Sequence, residues 1–262
     1  MKKIYAVFLF LLFFLFYCSK EKKKEAENFY SLPLTIGNEY QLISLKDNNI
    51  IINSTITDTV FRTDRQKLFQ QVCHYFDGSS DTLYLYHKDG YLIGTHLDTL
   101  FRSSDSTVFI PQNPFHECKL AKINPCEGDI WKHTFGGEEY FYASKIDSFQ
   151  SYYNVMKDVF QYDLFHQSDG LTFMSVLYAN RLGHVGTKAY NSFLPDMRSD
   201  TFAASYIKIN GKEYGKKILF KSKNFNNSLL QKYSQKEIQS YLYQVITGRK
   251  KPDEKTFIKT KK

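Results

Sequence analysis

The sequence lacks the short motifs that mark the common catalytic sites. It has no Gly-x-Ser-x-Gly elbow, no His-Glu-x-x-His, no glycine-rich phosphate loop and no Cys-x-x-Cys. Its seven histidines are scattered singly. His133, His166 and His184 lie in strand-like runs, where a hydrogen-bonded sheet histidine is a simpler interpretation than a general base. We therefore predict no catalytic residue, no cofactor and no resident metal.

The central part of the chain also lacks an excess of positive charge. The whole chain carries a net charge of +8, but the tail over 249–262 has seven basic and two acidic residues. Residues 26–248 hold 22 basic and 23 acidic residues, a net charge of −1. Without clustered Lys and Arg, this part is not expected to bind nucleic acid. The tail is interpreted as a flexible, solvated end, with attraction to anionic lipid headgroups as the alternative.

Long apolar runs are confined to the amino terminus. Two lysines precede the run Ile4–Tyr17, and Cys18 and a charged stretch follow it. The run has about the length of a signal-peptide core and is shorter than the roughly 20 residues that span a bilayer as a helix. The order of these parts resembles the signal of bacterial lipoproteins, in which a peptidase cuts before a cysteine whose sulfur carries lipid.

This resemblance predicts a signal peptide over 1–17, lipidation, for example with palmitate, at Cys18, and a tether over 18–31. The protein would then lie in the bacterial cell envelope, facing the periplasm or the surface and anchored to a membrane by lipid. Tyr17 stands where the peptidase pocket normally takes a small residue. An uncleaved amino-terminal anchor is therefore the main alternative, and no Ala-x-Ala supports an ordinary secretory cut.

Three cysteines remain beyond the predicted lipidation site. Cys118 and Cys126 are predicted to form a disulfide, because the turn-forming pair Asn124-Pro125 lies between them and can bring the ends of the loop together. Such a short loop would stabilise the fold by about 2–3 kcal/mol. Cys73 lies among apolar residues and is expected to be a small buried side chain. The alternative is a metal site formed by His116, Cys118 and Cys126.

From residue 32 onward the pattern is typical of strands joined by tight turns. Asp89-Gly90 and Asn210-Gly211 are hairpin-type pairs flanked by β-branched or aromatic residues. Such spacing leaves no room for crossover helices, so the sheet is expected to be antiparallel. We predict a mainly β fold, with a single, strongly curved antiparallel sheet or open barrel of hairpins and one C-terminal helix. Strands are expected near 39–45, 50–60, 67–76, 82–87, 91–94, 107–110, 115–123, 129–135, 138–146, 153–165, 171–178, 184–190, 202–210 and 212–220.

One helix is predicted over 235–247, at the end of a single β domain that spans 32–248. Ser234 and Glu237 form a capping box, and Gly248 followed by Pro252 ends the helix. Four apolar residues at helical spacing form a stripe along this helix. The apolar stripe is expected to cover one side or opening of the sheet, and docking of a partner is the alternative. Its members are Ile238, Leu242, Val245 and Ile246.

Several short segments resemble a group of uncharacterised β-rich bacterial envelope lipoproteins. They are 33–40 (Pro-Leu-Thr-Ile-Gly-Asn-Glu-Tyr), 128–131 (Gly-Asp-Ile-Trp), 153–155 (Tyr-Asn-Val) and 178–185 (Tyr-Ala-Asn-Arg-Leu-Gly-His-Val). Tyr40 stands where those proteins commonly carry Trp, and Asn180-Arg181-Leu182 interrupts their glycine-rich step. The similarity covers roughly 33–190. It implies a lipid-anchored extracytoplasmic β domain, and it brings no catalytic residue with it.

The aromatic content of 17% leaves three functions open. Large rings fill sheet interiors, so the first hypothesis is a non-catalytic interaction or structural module whose partner is an unknown envelope protein. Trp131 is accordingly expected to be a core residue whose indole N–H needs one partner. If the rings instead line a cavity, the protein would carry or bind an apolar ligand. An accessory to a carbohydrate-active or other envelope enzyme is the third hypothesis. A packed sheet interior favours the interaction module, and a dry tunnel of several hundred Å³ favours the carrier. A cleft with convergent carboxylates favours the enzyme accessory.

Overall fold

A computed structural model describes residues 33–48, 50–62, 65–95, 100–102, 107–109, 117–134, 137–190, 199–219 and 233–247. Within these ranges we find no helix that is long and apolar enough to cross a membrane. The predicted signal peptide, Cys18, the tether and the basic tail all lie outside the described residues.

The described residues form fifteen strands and one helix. The strands are β1 (Glu39–Ser44), β2 (Ile51–Arg62), β3 (Lys67–Tyr75), β4 (Ser80–Lys88), β5 (Tyr91–Thr95), β6 (Leu100–Arg102), β7 (Thr107–Phe109), β8 (Cys118–Lys122), β9 (Ile130–Lys132), β10 (Glu139–Gln150), β11 (Val155–His166), β12 (Thr172–Ala179), β13 (Gly183–Ala189), β14 (Asp200–Ile209) and β15 (Lys212–Gly215). The helix, α1, spans Gln235–Thr247, as the capping box and stripe predict.

Twelve strands follow one another in the order β8-β5-β4-β3-β2-β1-β14-β13-β12-β11-β10-β9, and each neighbouring pair is antiparallel. The two ends of this path meet, because the Lys119 amide donates to the His133 carbonyl at 2.8 Å, and Cys118 forms a bridge with Thr134. The sheet is therefore nearly closed and barrel-like, which confirms the predicted fold class. The remaining strands lie off this path, and β7 pairs with β2 in the parallel sense.

The tight turns predicted from the sequence are present in the backbone. Asp89 and Gly90, between β4 and β5, have φ of 50° and 78°, and Asn210 and Gly211, between β14 and β15, have φ of 50° and 79°. Positive φ at both central residues is the geometry of tight hairpin turns that match the twist of the strands. These two pairs thus set the register of their hairpins.

Helix α1 is buried along most of its length. It begins at the capping box, where the Ser234 amide donates to the Glu237 carboxylate at 2.8 Å and the Glu237 amide donates to the Ser234 hydroxyl at 3.3 Å. Ile238 and Leu242 are fully buried, as the stripe predicts. The opposite side of the helix is buried as well, at Ser240, Tyr243 and Thr247.

Contacts with inward-facing strand residues place α1 in the interior of the curved sheet. The Thr187 hydroxyl on β13 donates to the Val245 carbonyl at 3.0 Å, and the Tyr241 ring lies 6.1 Å from the Phe202 ring on β14. Ile246, near the end of the helix, contacts both large clusters of the core. The helix therefore fills the interior, whereas the sequence predicted a cover over one side or opening.

Candidate functional site

A cavity of about 50 Å³ remains in the interior, beside the end of α1. Its walls are mostly aliphatic: Leu34, Ile56, Leu83, Leu85, Leu92, Leu120 and Ile246. Its other lining residues are uncharged, and they include Tyr40, Ser54, Gln71, Tyr178 and His184. Pockets that hold drug-sized ligands usually measure about 300–1,000 Å³. The cavity is therefore too small for a whole acyl chain.

Two tyrosines bring hydroxyl groups to this cavity. Tyr40 on β1 and Tyr178 on β12 are only 8% and 5% exposed. Within the described part of the chain, neither phenol has a hydrogen-bond partner. Burial raises the pKa of both phenols, so both stay protonated and neutral over the physiological range. Each is thus a neutral donor that lies in an apolar setting.

His184 on β13 stacks on Tyr178, with ring centroids 5.4 Å apart. Its Nε2 lies 2.9 Å from the Thr187 hydroxyl oxygen and 3.0 Å from the Gly186 carbonyl oxygen. The Thr187 hydroxyl donates its own hydrogen to Val245, so Nε2 is the donor in these contacts. Burial lowers the pKa of His184 to about 4, which leaves the imidazole neutral. The predicted hydrogen-bonded sheet histidine is confirmed, and Nδ1 is left as an acceptor.

The cavity is where two of the segments singled out in the sequence meet. Pro33, Leu34 and Tyr40 come from the first segment, and Tyr178 and Gly183 come from the last. Gly183 has a φ of +80°, and a Cβ at this position would lie 2.8 Å from the Tyr40 hydroxyl oxygen. A glycine is therefore required here, because any side chain would collide with Tyr40 and strain the backbone. No pattern in the sequence indicates that these segments are adjacent.

The described residues contain no group of three or more His, Cys, Asp or Glu side chains that could hold a metal ion. Of the alternative metal site, Cys118 is buried, Cys126 is exposed, and His116 lies outside the described residues. Trp131 is 4% exposed, which confirms its core position. The expected partner for its indole N–H is not found, since Nε1 makes no hydrogen bond in the described structure.

The most buried ion pair has a structural explanation. Arg62 at the end of β2 contacts Glu117 at 2.7 Å, and the Tyr86 hydroxyl donates to the same carboxylate oxygen at 2.6 Å. The Arg62 guanidinium also lies 5.1 Å from the centre of the Tyr86 ring. Burial raises the pKa of Tyr86, so its hydroxyl stays a donor. These contacts tie β2 and β4 to the residue that precedes β8.

Both partners of the predicted disulfide are described as thiols. Cys118 is buried, and its sulfur lies 3.4 Å from the Gly94 carbonyl oxygen, whereas Cys126 is exposed. Cys73 is buried, and burial raises the pKa of its thiol. The pairing of Cys118 with Cys126 stays a prediction.

Alkylation of the protein taken from the envelope tests this pairing. Without reduction, peptide mapping should find neither Cys118 nor Cys126 modified, and Cys73 modified only after unfolding. Reduction of the unfolded protein before alkylation serves as the control and should make all three cysteines reactive. Free alkylation of both Cys118 and Cys126 in unreduced protein would show that the pair is not bridged.

The outer side of β9, β10 and β11 carries a second feature, which we name the aromatic outer face. It consists of Ile130, Lys132, Tyr140, Tyr142 and Phe165. Ile130 is paired with Tyr142 across the ladder, and Tyr140 is paired with Lys132 and Phe165. The Tyr140 and Phe165 rings stack at 6.1 Å, and Ile130 and Tyr142 are 60% and 37% exposed. These side chains form a contiguous exposed row rather than scattered single residues.

No family model and no curated protein matches this chain. Two solved structures do. One is a protein from Bacteroides fragilis that is described as exported and as having a YmcC-like fold; it is 10% identical, with a TM-score of 0.34 over 68% of this chain and 98% of its own. The other, described as a lipoprotein from Parabacteroides distasonis, is 9% identical, with a TM-score of 0.35 over 69% and 99%. Their descriptions agree with the predicted export of this chain, and at these TM-scores they add no weight to it.

Proposed function

We propose that this chain is a lipid-anchored envelope protein whose β domain acts as a non-catalytic interaction or structural module. The observation that carries the proposal is the packed interior. Helix α1 occupies the space inside the curved sheet, and the cavity that remains measures about 50 Å³. A carrier of acyl chains needs several hundred Å³ of continuous apolar space. The enzyme hypothesis has no support from a group of convergent, titratable side chains in the described part of the chain.

The aromatic outer face supports the interaction role. Tyr and Phe are enriched where proteins meet, because their rings bury a large area with few rotatable bonds. Here two exposed side chains, Ile130 and Tyr142, stand side by side on neighbouring strands, next to the stacked pair Tyr140–Phe165. Lys132 lies with its ammonium 6.0 Å from the centre of the Tyr140 ring and adds a charge at the edge.

Extraction of bound lipid distinguishes the module from the carrier. The protein is purified without detergent exchange, its non-covalent lipid is extracted with organic solvent, and both fractions are analysed by mass spectrometry. We expect acyl chains only on the amino-terminal peptide. A stoichiometric, non-covalent lipid in the extract would refute the module hypothesis and favour the carrier.

Replacement of Cys18 by alanine tests the anchor. Cells grown with labelled palmitate should label the wild-type protein, and Cys18→Ala should abolish the label. Cys73→Ala is the matched control, because it removes a buried thiol and should leave the label unchanged. An unlabelled wild-type protein that retains residues 1–17 would support the uncleaved anchor instead.

A further inference from the structure

We infer that the cavity beside α1 is a binding site for a neutral ligand that inserts a short aliphatic group bearing a hydroxyl or carbonyl oxygen. The inference concerns the interior of the sheet and does not depend on the lipid anchor or on the aromatic outer face. It rests on the polar groups that meet in the cavity, on the absence of charge among the lining residues, and on the cavity's size.

The two phenol hydroxyls in the cavity are available to hydrogen-bond a ligand from outside the chain. The Tyr40 and Tyr178 hydroxyls lie in a pocket of leucines and isoleucines, and neither has a hydrogen-bond partner among the described residues. A hydroxyl that faces a cavity and makes no hydrogen bond within the described residues keeps its donor available for whatever occupies that cavity. A ligand oxygen that accepts from both phenols would satisfy them together. Nδ1 of His184 would accept from a ligand hydroxyl.

The chemistry of the lining residues selects a neutral ligand. All fourteen of them are uncharged. The imidazole of His184 is neutral as well, because burial lowers its pKa to about 4. A carboxylate or an ammonium group would therefore be desolvated there without a counter-charge, which is strongly unfavourable. An alcohol, an ester or an amide would lose much less hydration free energy when it enters the cavity.

The size of the cavity limits what enters it. About 50 Å³ is well below the roughly 150 Å³ of an engineered cavity that binds benzene. Only the end of a larger molecule would therefore be enclosed. Pro33 and Leu34 line the cavity and are partly exposed, so the cavity reaches the surface beside them. The rest of the ligand would leave past these two residues.

A series of short alcohols tests the inference. The full chain, labelled with 3-fluorotyrosine in detergent micelles, is dialysed against ethanol, 1-propanol, 1-butanol and 1-hexanol so that the free concentration is known. The fluorine resonances of Tyr40 and Tyr178, assigned by their loss in Tyr40→Phe and Tyr178→Phe, should shift and saturate. Affinity should rise about 4-fold for each added methylene and level off once the alcohol outgrows the cavity.

Matched probes and variants make the test specific. Butyrate and butylammonium should not shift either resonance at concentrations at which 1-butanol saturates. Tyr40→Phe and Tyr178→Phe, which keep the rings, should each weaken 1-butanol about 3–10-fold. Tyr153→Phe, on an exposed tyrosine, should leave the affinity unchanged. Equal binding of butyrate, unchanged affinity in both phenylalanine variants, or no saturable shift with any alcohol, as for a cavity that holds water only, would overturn the inference.

Discussion

Replacing Trp131 by alanine is expected to lower the free energy of unfolding by about 3–5 kcal/mol. Trp131 is buried where the two ends of the sheet meet. Its ring lies 5.1 Å from Tyr162, 5.4 Å from Phe141 and 6.0 Å from Tyr91. Its removal would leave a large cavity that these rings can fill only in part. Urea unfolding of the chain from Ala26 to Lys262 measures the loss.

A phenylalanine at the same position separates packing from hydrogen bonding. Because the indole N–H of Trp131 has no partner in the described structure, Trp131→Phe loses no hydrogen bond and keeps a ring in place. It should therefore cost clearly less than Trp131→Ala. Tyr153→Ala, on an aromatic residue that is 44% exposed, is the control and should be nearly neutral. A similar loss for Trp131→Phe and Trp131→Ala would indicate that the N–H is bonded after all.

Replacing Leu242 by alanine is expected to cost about 2–4 kcal/mol. Leu242 is fully buried on the helix that fills the interior, so its truncation removes apolar contacts that the surrounding strands cannot restore. Since domains of this kind are stable by only about 5–15 kcal/mol, the midpoint of thermal unfolding should fall markedly. Thermal melts of the same Ala26–Lys262 chain give the shift.

Two controls define what the Leu242 result means. Leu219→Ala makes the same chemical change at a side chain that is 79% exposed, and it should leave the midpoint unchanged. Deletion of 250–262 should also be nearly neutral, because a segment with six basic residues among thirteen is expected to contribute little to a packed core. If Leu242→Ala is as stable as Leu219→Ala, then α1 is not part of the core, and its apolar stripe becomes a candidate docking surface.

The sheet could be predicted from the sequence because its signals are local. Alternation along 82–87 and the pairs Asp89-Gly90 and Asn210-Gly211 report the conformation of a few neighbouring residues, and these conformations are realised. The helix could be predicted in the same way, because the capping box and the apolar stripe lie within one segment. Such short-range signals identify elements and their type.

The position of the helix and the composition of the cavity could not be predicted in this way. Ser240, Tyr243 and Thr247 look like a solvent-facing side in a helical pattern, yet they are buried. The Thr247 hydroxyl is satisfied locally, by the Tyr243 carbonyl at 2.9 Å. Likewise Tyr40 and Tyr178 are 138 positions apart. They are brought together only by the pairing of β1 with β14, of β14 with β13 and of β13 with β12. No periodicity encodes such distant neighbours.

The late position of α1 in the chain gives the protein a check on its own completeness. The first strand pairs with β2 early in the chain but finds its second partner only when β14 has been made, and helix α1 follows later still. Every described strand precedes α1 in the chain, so a shortened chain can contain all of the strands and still lack the helix. A copy that stops before Gln235 would remain hollow and accessible to proteases, whereas one that reaches Thr247 can close.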